Sequence, residues 1–250
     1  SGTFNISTVA SFVVAGAGVK VAKHGNRSMT SKSGSADVLE ALGVNITLSP
    51  NKVTYCIEKF GLGFMFAPVL HPAMKHAMTA RKSLAIRTVF NILGPLCNPA
   101  NVKRQVMGIF DGSITVKIAN VLKILGSKHA MIVHGDDGLD EISTTTQTQF
   151  TELLPDGQIQ SGIISPMNYD ISTSDSIAIK GGSPNYNAKI LQNILNGEKG
   201  PHRDIVILNA AAGIKVGGKS KSIQEGIKLA EEAIDSGQAN NVLQSLINIK

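Results

Sequence analysis

The sequence predicts an α/β protein in which a mixed, mostly parallel central sheet is flanked by helices. Three observations carry that reading. From Arg104 onward the pattern alternates, with a strand over Gln105–Phe110, a helix over Ile114–Leu125 and a strand over Ala130–Val133. This β-α-β rhythm calls for a parallel pairing with a crossover helix. Earlier, Val19–Ala22 reads as a short strand that runs into a polar loop and then a helix starting near Ser35. Strand, loop, helix is the usual geometry of phosphate sites in such folds. Third, the 250 residues are 42% hydrophobic and 17% charged, and mean hydropathy is +0.10. Such a chain can bury a substantial core and is not disordered.

The remaining elements follow in order. Asn5 and Ser7 are placed to cap a helix running to about Gly16. Asp37–Leu42 is helical with Gly43 as its stop, and Asn51–Phe60 is a helix closed by Gly61. Gly63–Ala67 is an apolar run short enough for a buried strand. Pro72 suits a first helical turn, residues 71–93 read as two helices, and Gly94-Pro95 and Asn98-Pro99 then break the chain. Residues 144–182, rich in Thr, Ser, Gln and Gly, read as antiparallel edge strands and turns with no chemistry of their own. Asn185–Leu195 is a helix, and Pro201-His202-Arg203 opens another that contains Asn209-Ala210-Ala211-Ala212, a run suited to close helix packing. Lys221–Asp235 and Gln238–Ile249 finish the chain as amphipathic helices. No internal repeat or low-complexity linker interrupts it.

Charge narrows the partners. A net charge of +6 and a pI near 9.3 favour anions, either nucleic acid or a polyphosphate metabolite. Aromatic residues are only 4% and none lies in the basic loop, so a stacking platform for single strands is disfavoured and nucleic acid is an unlikely partner. The apolar stretches are too short or too interrupted to span a bilayer, and no secretory signal is visible. Cys56 and Cys97 are isolated and read as small apolar residues, which fits a reducing cytoplasm.

Two stretches carry chemistry. Lys23-His24-Gly25-Asn26-Arg27-Ser28-Met29-Thr30-Ser31-Lys32-Ser33-Gly34-Ser35-Ala36-Asp37 holds four actual or potential cations, four Ser, one Thr and two Gly. Buried in a dry core, so many donors would go unpaired. Around an anion they are matched by phosphate oxygens, and the helix beginning at Ser35 would aim its positive end at the same place. The same composition also suits a solvated Ser-rich loop. The second stretch, His134 to Ser143, puts Asp136, Asp137, Asp140 and Glu141 after a strand. Hard oxygen ligands there suit Mg²⁺ held partly through substrate phosphates, and a polar turn is the structural alternative.

Lys23-His24-Gly25-Asn26-Arg27 followed by Ser31-Lys32-Ser33-Gly34-Ser35-Ala36-Asp37 resembles the signature of the anthranilate phosphoribosyltransferase family, with Met29 and Thr30 where smaller residues are expected. Ser1-Gly2-Thr3-Phe4-Asn5-Ile6-Ser7-Thr8, the 71–99 block and Asp140-Glu141 extend the resemblance from Thr3 nearly to the C-terminus. It implies a phosphoribosyltransferase-like fold, similar to nucleoside phosphorylases, with 1–67 and 100–250 as the catalytic domain and 68–99 as a helical segment of a smaller α domain. It implies transfer of phosphoribosyl from phosphoribosyl pyrophosphate to anthranilate in tryptophan biosynthesis, with Mg²⁺, by a cytoplasmic homodimer. By the same resemblance Thr3, Asn5, Ser7, Thr8, Lys23, His24, Gly25, Asn26, Arg27, Ser28, Ser31 and Ser35 meet phosphoribosyl pyrophosphate. Asn26, His71 and Arg81 meet anthranilate, Arg81 by gripping its carboxylate; Ser7, Asp140 and Glu141 hold the metal, and His24 is a weak candidate proton acceptor. The family carries a Gly-rich loop and a helical bundle before the residues that match Ser1. Without them the expectation is low activity for this chain alone and self-association through 71–93. Two alternatives stand beside this: a pyrimidine nucleoside phosphorylase, and a nucleic-acid-binding relative of the same fold without transferase activity.

Overall fold

The computed structural model describes residues 2–28, 32–70, 94 and 96–249. Helix α1 (Ile6–Gly16) leads into strand β1 (Val21–Gly25), helix α2 (Ser35–Ala41), helix α3 (Pro50–Phe60), strand β2 (Leu62–Phe66) and the short α4 (Ala67–Leu70). After the 71–93 block, which lies outside the described residues, come β3 (Arg104–Gly108), α5 (Thr115–Ile124), β4 (His129–Gly135), β5 (Thr148–Leu153) and β6 (Ile159–Ile164). Helices α6 (Pro184–Leu195), α7 (Pro201–Gly217), α8 (Ile223–Asp235) and α9 (Gln238–Ile247) complete the order.

The mixed α/β class is as the sequence indicates. Among the described residues its strands fall into two sheets. β1 and β2 pair in parallel, Val21 opposite Leu62 and Gly25 opposite Phe66. The second sheet runs β3-β4-β5-β6, with β3 and β4 parallel across the α5 crossover and the other pairs antiparallel. The antiparallel β5–β6 pairing follows from connection length. Residues 154–158 joining β5 to β6 are too few to cross back over the sheet and can only turn.

β4 is an unbroken apolar run from Ala130 to Val133 because both its faces are covered. Ala130 and Ile132 point to one side, where they meet Ile118, Ala119 and Leu122 of α5. Met131 and Val133 point to the other and join the main core. That core contains α1, whose Ile6, Val9, Phe12 and Val13 are each at most 1% exposed, and the Ala210-Ala211-Ala212 run of α7 at 0%. Small side chains there let α7 lie close to α1 and α8, as the sequence suggested.

Two ionic clusters tie layers together. Glu152 of β5 is fully buried; it pairs with His129 Nε2 at 2.8 Å and accepts from Lys215 Nζ of α7 at 2.8 Å and Gln160 Nε2 of β6 at 3.0 Å. Arg203, 2% exposed, donates two bonds to Asp235, at 2.6 and 2.8 Å, fixing the start of α7 to the end of α8. Cys56 is buried as expected, while Cys97 is exposed and so is not a core residue. Among the described residues no helix is long and apolar enough to cross a membrane.

Candidate active site

A cavity of about 360 Å³ opens where four chain segments converge: Gly2 to Ser7, Lys32-Ser33, Asp140-Glu141, and Lys180 to Asn187. Its floor is the start of α1. A helix leaves its first N–H groups without helical partners, and its N-terminus carries partial positive charge. Here the Ser7 N–H donates to Glu141 Oε1 at 3.1 Å. Ser7 itself is exposed to the cavity, and Lys23 Nζ, from β1, reaches its hydroxyl at 3.5 Å. Residues from three separate stretches thus meet at one point.

Asn5 occupies the N-cap position of α1, but neither it nor Ser7 caps the helix through its side chain, contrary to the sequence expectation. Asn5 instead spends its amide across the cavity wall, donating to the Ser33 carbonyl at 3.3 Å and accepting from Asn187 Nδ2 at 2.9 Å.

The acidic turn divides in two. Asp136 accepts from Gln149 Nε2, and Asp137 accepts from the Ser143 and Thr145 hydroxyls and the Leu139 N–H, so both are engaged in bracing the turn. Asp140 and Glu141 alone of the four line the cavity. Their backbone is gripped from both sides. Asn209 of α7 accepts from the Ile142 N–H and donates to the Ile142 carbonyl, at 2.9 and 2.7 Å. Gly108, at the end of β3, lies so close that a Cβ there would sit 1.5 Å from the Asp140 carbonyl oxygen.

Electrostatically Glu141 is under-compensated. Burial, reinforced by the adjacent Asp140 charge, pushes the Glu141 carboxyl up to about 8, against the Ser7 N–H and Lys23. Burial pulls the Lys23 ammonium below the ordinary lysine range, with Glu141 opposing. Two crowded carboxylates and a hydroxyl, all hard oxygens, at the rim of a polar cavity are a donor set that suits Mg²⁺. Among the described residues no group of three or more His, Cys, Asp or Glu forms a closed cage.

Among the described residues of the basic stretch, Lys32 and Ser33 line the cavity, while Arg27 is engaged within the chain. Arg27 is not in the lining; it donates to Asp37 at 3.2 Å and to both Glu40 oxygens, one of them at 2.8 Å, and lies over the Phe66 ring. These partners raise the Arg27 pKa, the Glu40 bond first. The start of α2, expected to face an anion, is met by its own Asp37, which accepts from the Ser28 and Gly34 N–H groups at 3.0 and 2.8 Å. Partial burial works against that charge, but the two amides and Arg27 hold the Asp37 carboxyl below its usual range.

Of the residues singled out from sequence, Thr3, Asn5, Ser7, Asp140 and Glu141 line the cavity and Lys23 touches Ser7. His24, Gly25, Asn26, Arg27 and Ser28 lie on the adjoining strand and loop and Ser35 opens α2, none of them in its lining. Thr8 is 1% exposed inside α1, so its side chain faces the core and not a ligand. Ser31, His71 and Arg81 lie outside the described residues. Lys180 and Asn187 line the cavity without having been singled out, and Lys32, one of the cations of the basic stretch, joins them. Lys180-Gly181-Gly182 carried a signal, a cation followed by paired glycines, inside a stretch read as devoid of chemistry. Asn187 carried none, since one polar residue in a helical first turn reads as surface.

Comparison with known proteins identifies the family. Residues 1–240 match the model of the glycosyl transferase family, a/b domain. The chain is 56% identical over 245 residues to the anthranilate phosphoribosyltransferase of Acetivibrio thermocellus, spanning 98% of this chain and 71% of that protein. It is 54% identical over 247 residues to that of Alkaliphilus metalliredigens, spanning 99% and 73%. Among solved structures, anthranilate phosphoribosyltransferase from Thermus thermophilus superposes with a TM-score of 0.92 at 42% identity, over 99% of this chain and 73% of that one. The Saccharomyces cerevisiae enzyme in complex with PRPP and Mg gives 0.90 at 30% identity, over 99% and 70%. With a family model matched over residues 1–240 and a relative 56% identical over 98% of this chain's length, the chain belongs to the anthranilate phosphoribosyltransferase family.

Proposed function

We propose that this protein transfers the phosphoribosyl group of phosphoribosyl pyrophosphate to the amine of anthranilate, releasing pyrophosphate, a step of tryptophan biosynthesis. The observation that carries the reading is the Ser7 N–H···Glu141 bond of 3.1 Å with Lys23 beside it, because it joins three separated motifs around one cavity. In the reaction the bond from the anomeric carbon to pyrophosphate breaks, its electron pair leaving with the diphosphate. A carbon–nitrogen bond forms and the amine gives up a proton. Positive charge grows on ribose and negative charge on the leaving group, so the lysines at the cavity and the α1 N-terminus favour the transition state. Ser7, Asp140 and Glu141 would hold Mg²⁺, which supplies charge stabilisation on the departing diphosphate. Thr3 and Asn5 frame the ribosyl phosphate. Anthranilate's amine is already neutral and nucleophilic, so positioning it by Asn26, His71 and Arg81 matters more than a strong base, and His24 is secondary.

The same reading takes 1–67 and 100–250 as the catalytic domain, 68–99 as a helical segment of a smaller one, and the working protein as a cytoplasmic homodimer. The family match supports the transferase over a nucleoside phosphorylase or a nucleic-acid-binding relative, and no feature of the cavity favours either. The test is turnover of anthranilate with phosphoribosyl pyrophosphate and Mg²⁺, followed as pyrophosphate release. Phosphorolysis of a pyrimidine nucleoside without anthranilate turnover would overturn the reading. In the Asp140→Asn/Glu141→Gln double variant the Mg²⁺ requirement should move to much higher concentration.

A further inference from the structure

We propose that Asn187 is a positioning residue for phosphoribosyl pyrophosphate, holding three separate walls of the cavity in register through one directional chain of amide hydrogen bonds. Asn187 is 3% exposed and lies in the first turn of α6. A helical Cβ tilts toward the N-terminus, which carries this side chain back over the segment preceding the helix. There its Oδ1 accepts the Gly182 N–H at 2.8 Å, while its Nδ2 donates to Asn5 Oδ1 at 2.9 Å. Asn5 in turn donates to the Ser33 carbonyl at 3.3 Å. Gly182, Asn5 and Ser33 belong to three different segments, and all three line the cavity.

Both ends of the chain are backbone groups, and that fixes its direction. A backbone N–H can only donate, so the Asn187 oxygen must face Gly182; a carbonyl can only accept, so the Asn5 nitrogen must face Ser33. Each side-chain amide is left one way to sit. The wall is further fixed beside it: Gly181 N–H donates to the Gly2 carbonyl at 2.8 Å, and Thr3 bridges Lys180. A Cβ on Gly181 would come within 2.6 Å of the Phe4 backbone, so the two segments lie in direct contact. Asn187 therefore sets where Asn5 and Lys180 stand relative to Ser33, without itself meeting the reacting atoms.

This rests on the reading of the cavity as the phosphoribosyl pyrophosphate site, so the test has one part that needs substrate and one that does not. Without substrate, amide exchange at Gly182 should speed up at least tenfold in Asn187→Ala and stay near the parent rate in Asn187→Asp, whose carboxylate still accepts that N–H. With substrate, both variants should raise KM for phosphoribosyl pyrophosphate about tenfold or more, because both lose the donor to Asn5. KM for anthranilate should stay within twofold. Asn5→Ala combined with Asn187→Ala should cost little more than either change alone. Unchanged Gly182 exchange in Asn187→Ala overturns the chain of bonds whatever the substrate proves to be. Equal rises in both KM values, or additive losses in the double variant, overturn the positioning role. Should Asn187→Ala fail to fold, Asn187→Asp carries the kinetic comparison alone.

Discussion

Glu152 and Glu141 are both drawn out of bulk water, and each has a lysine near it, yet their acidities move in opposite directions. For Glu152 burial works to raise the carboxyl, but bonds from His129, Lys215 and Gln160 outweigh it and take it down to about 2. For Glu141 burial and Asp140 win, and it is pushed up to about 8. The difference is the number of donors aimed at the oxygens. Glu152 is closed on all sides by its own protein, and its pairing stabilises the fold. Glu141 has one backbone N–H, an ammonium that acts on it through its charge, and a like-charged neighbour. Polar groups saturated from within belong to the scaffold here, and those left short belong to the cavity.

The largest effect should come from the backbone that keeps the short-handed pair in place. In Gly108→Ala the new methyl would overlap the Asp140 carbonyl, 1.5 Å from it, and neither β3 nor the Asn209-clamped turn has room to yield. Turnover should fall about a hundredfold or more, as displacements of roughly 1 Å do, with a raised Mg²⁺ requirement. Parent-like kinetics in that variant would show that the pair tolerates movement.

The saturated side is tested by Lys215→Met, which leaves Glu152 buried with fewer donors. The expected loss is about 2–4 kcal/mol of unfolding free energy, read from denaturant titration, with kcat unchanged well below the transition. The acid limb follows the same sign. A carboxyl whose folded pKa is about 2 stabilises the fold above its unfolded value near 4.5, and that contribution fades as pH falls through 2. The parent should therefore lose stability between pH 4.5 and 2, and Lys215→Met should show a shallower loss over that range. An equally steep limb in the variant would detach the cluster from acid unfolding.

The smallest effect has the most telling sign. Glu141→Gln removes a carboxyl that the metal-free fold disfavours in its charged form, so in chelator at neutral pH the melting temperature should rise by about 2–4 °C. Turnover with Mg²⁺ should fall in the same variant. A drop in melting temperature would mean that Glu141, like Glu152, is satisfied from within.

Much of this was legible in the sequence because periodicity reports burial directly. The buried run of β4, the α5 crossover, the Gly61 stop after α3 and the antiparallel β5–β6 pair all follow from local pattern. The motif stretches also announced themselves, since Lys23 and Asp140-Glu141 are residue types a core does not take without a partner. What local pattern cannot show is which partner a polar group finds. Arg27 reads as a phosphate contact, and its bond to Glu40 of α2 is invisible in the local pattern. Asp136 and Asp137 look like metal ligands until the folded turn claims them. Asn187 looks inert until the chain brings Asn5 alongside.

That last pairing has a consequence for the order in which the molecule comes together. Asn5 and Asn187 are 182 positions apart, and Ser7 and Glu141 are 134 apart. Closing loops of that length is slow compared with forming a helix or a hairpin. During synthesis the stretch bearing Ser7 and Lys23 emerges early, but the segment that closes the cavity leaves the ribosome only after some three-quarters of these 250 residues have been made. The cavity therefore cannot close on Asn5 and Ser33 before residues 182–187 have been made.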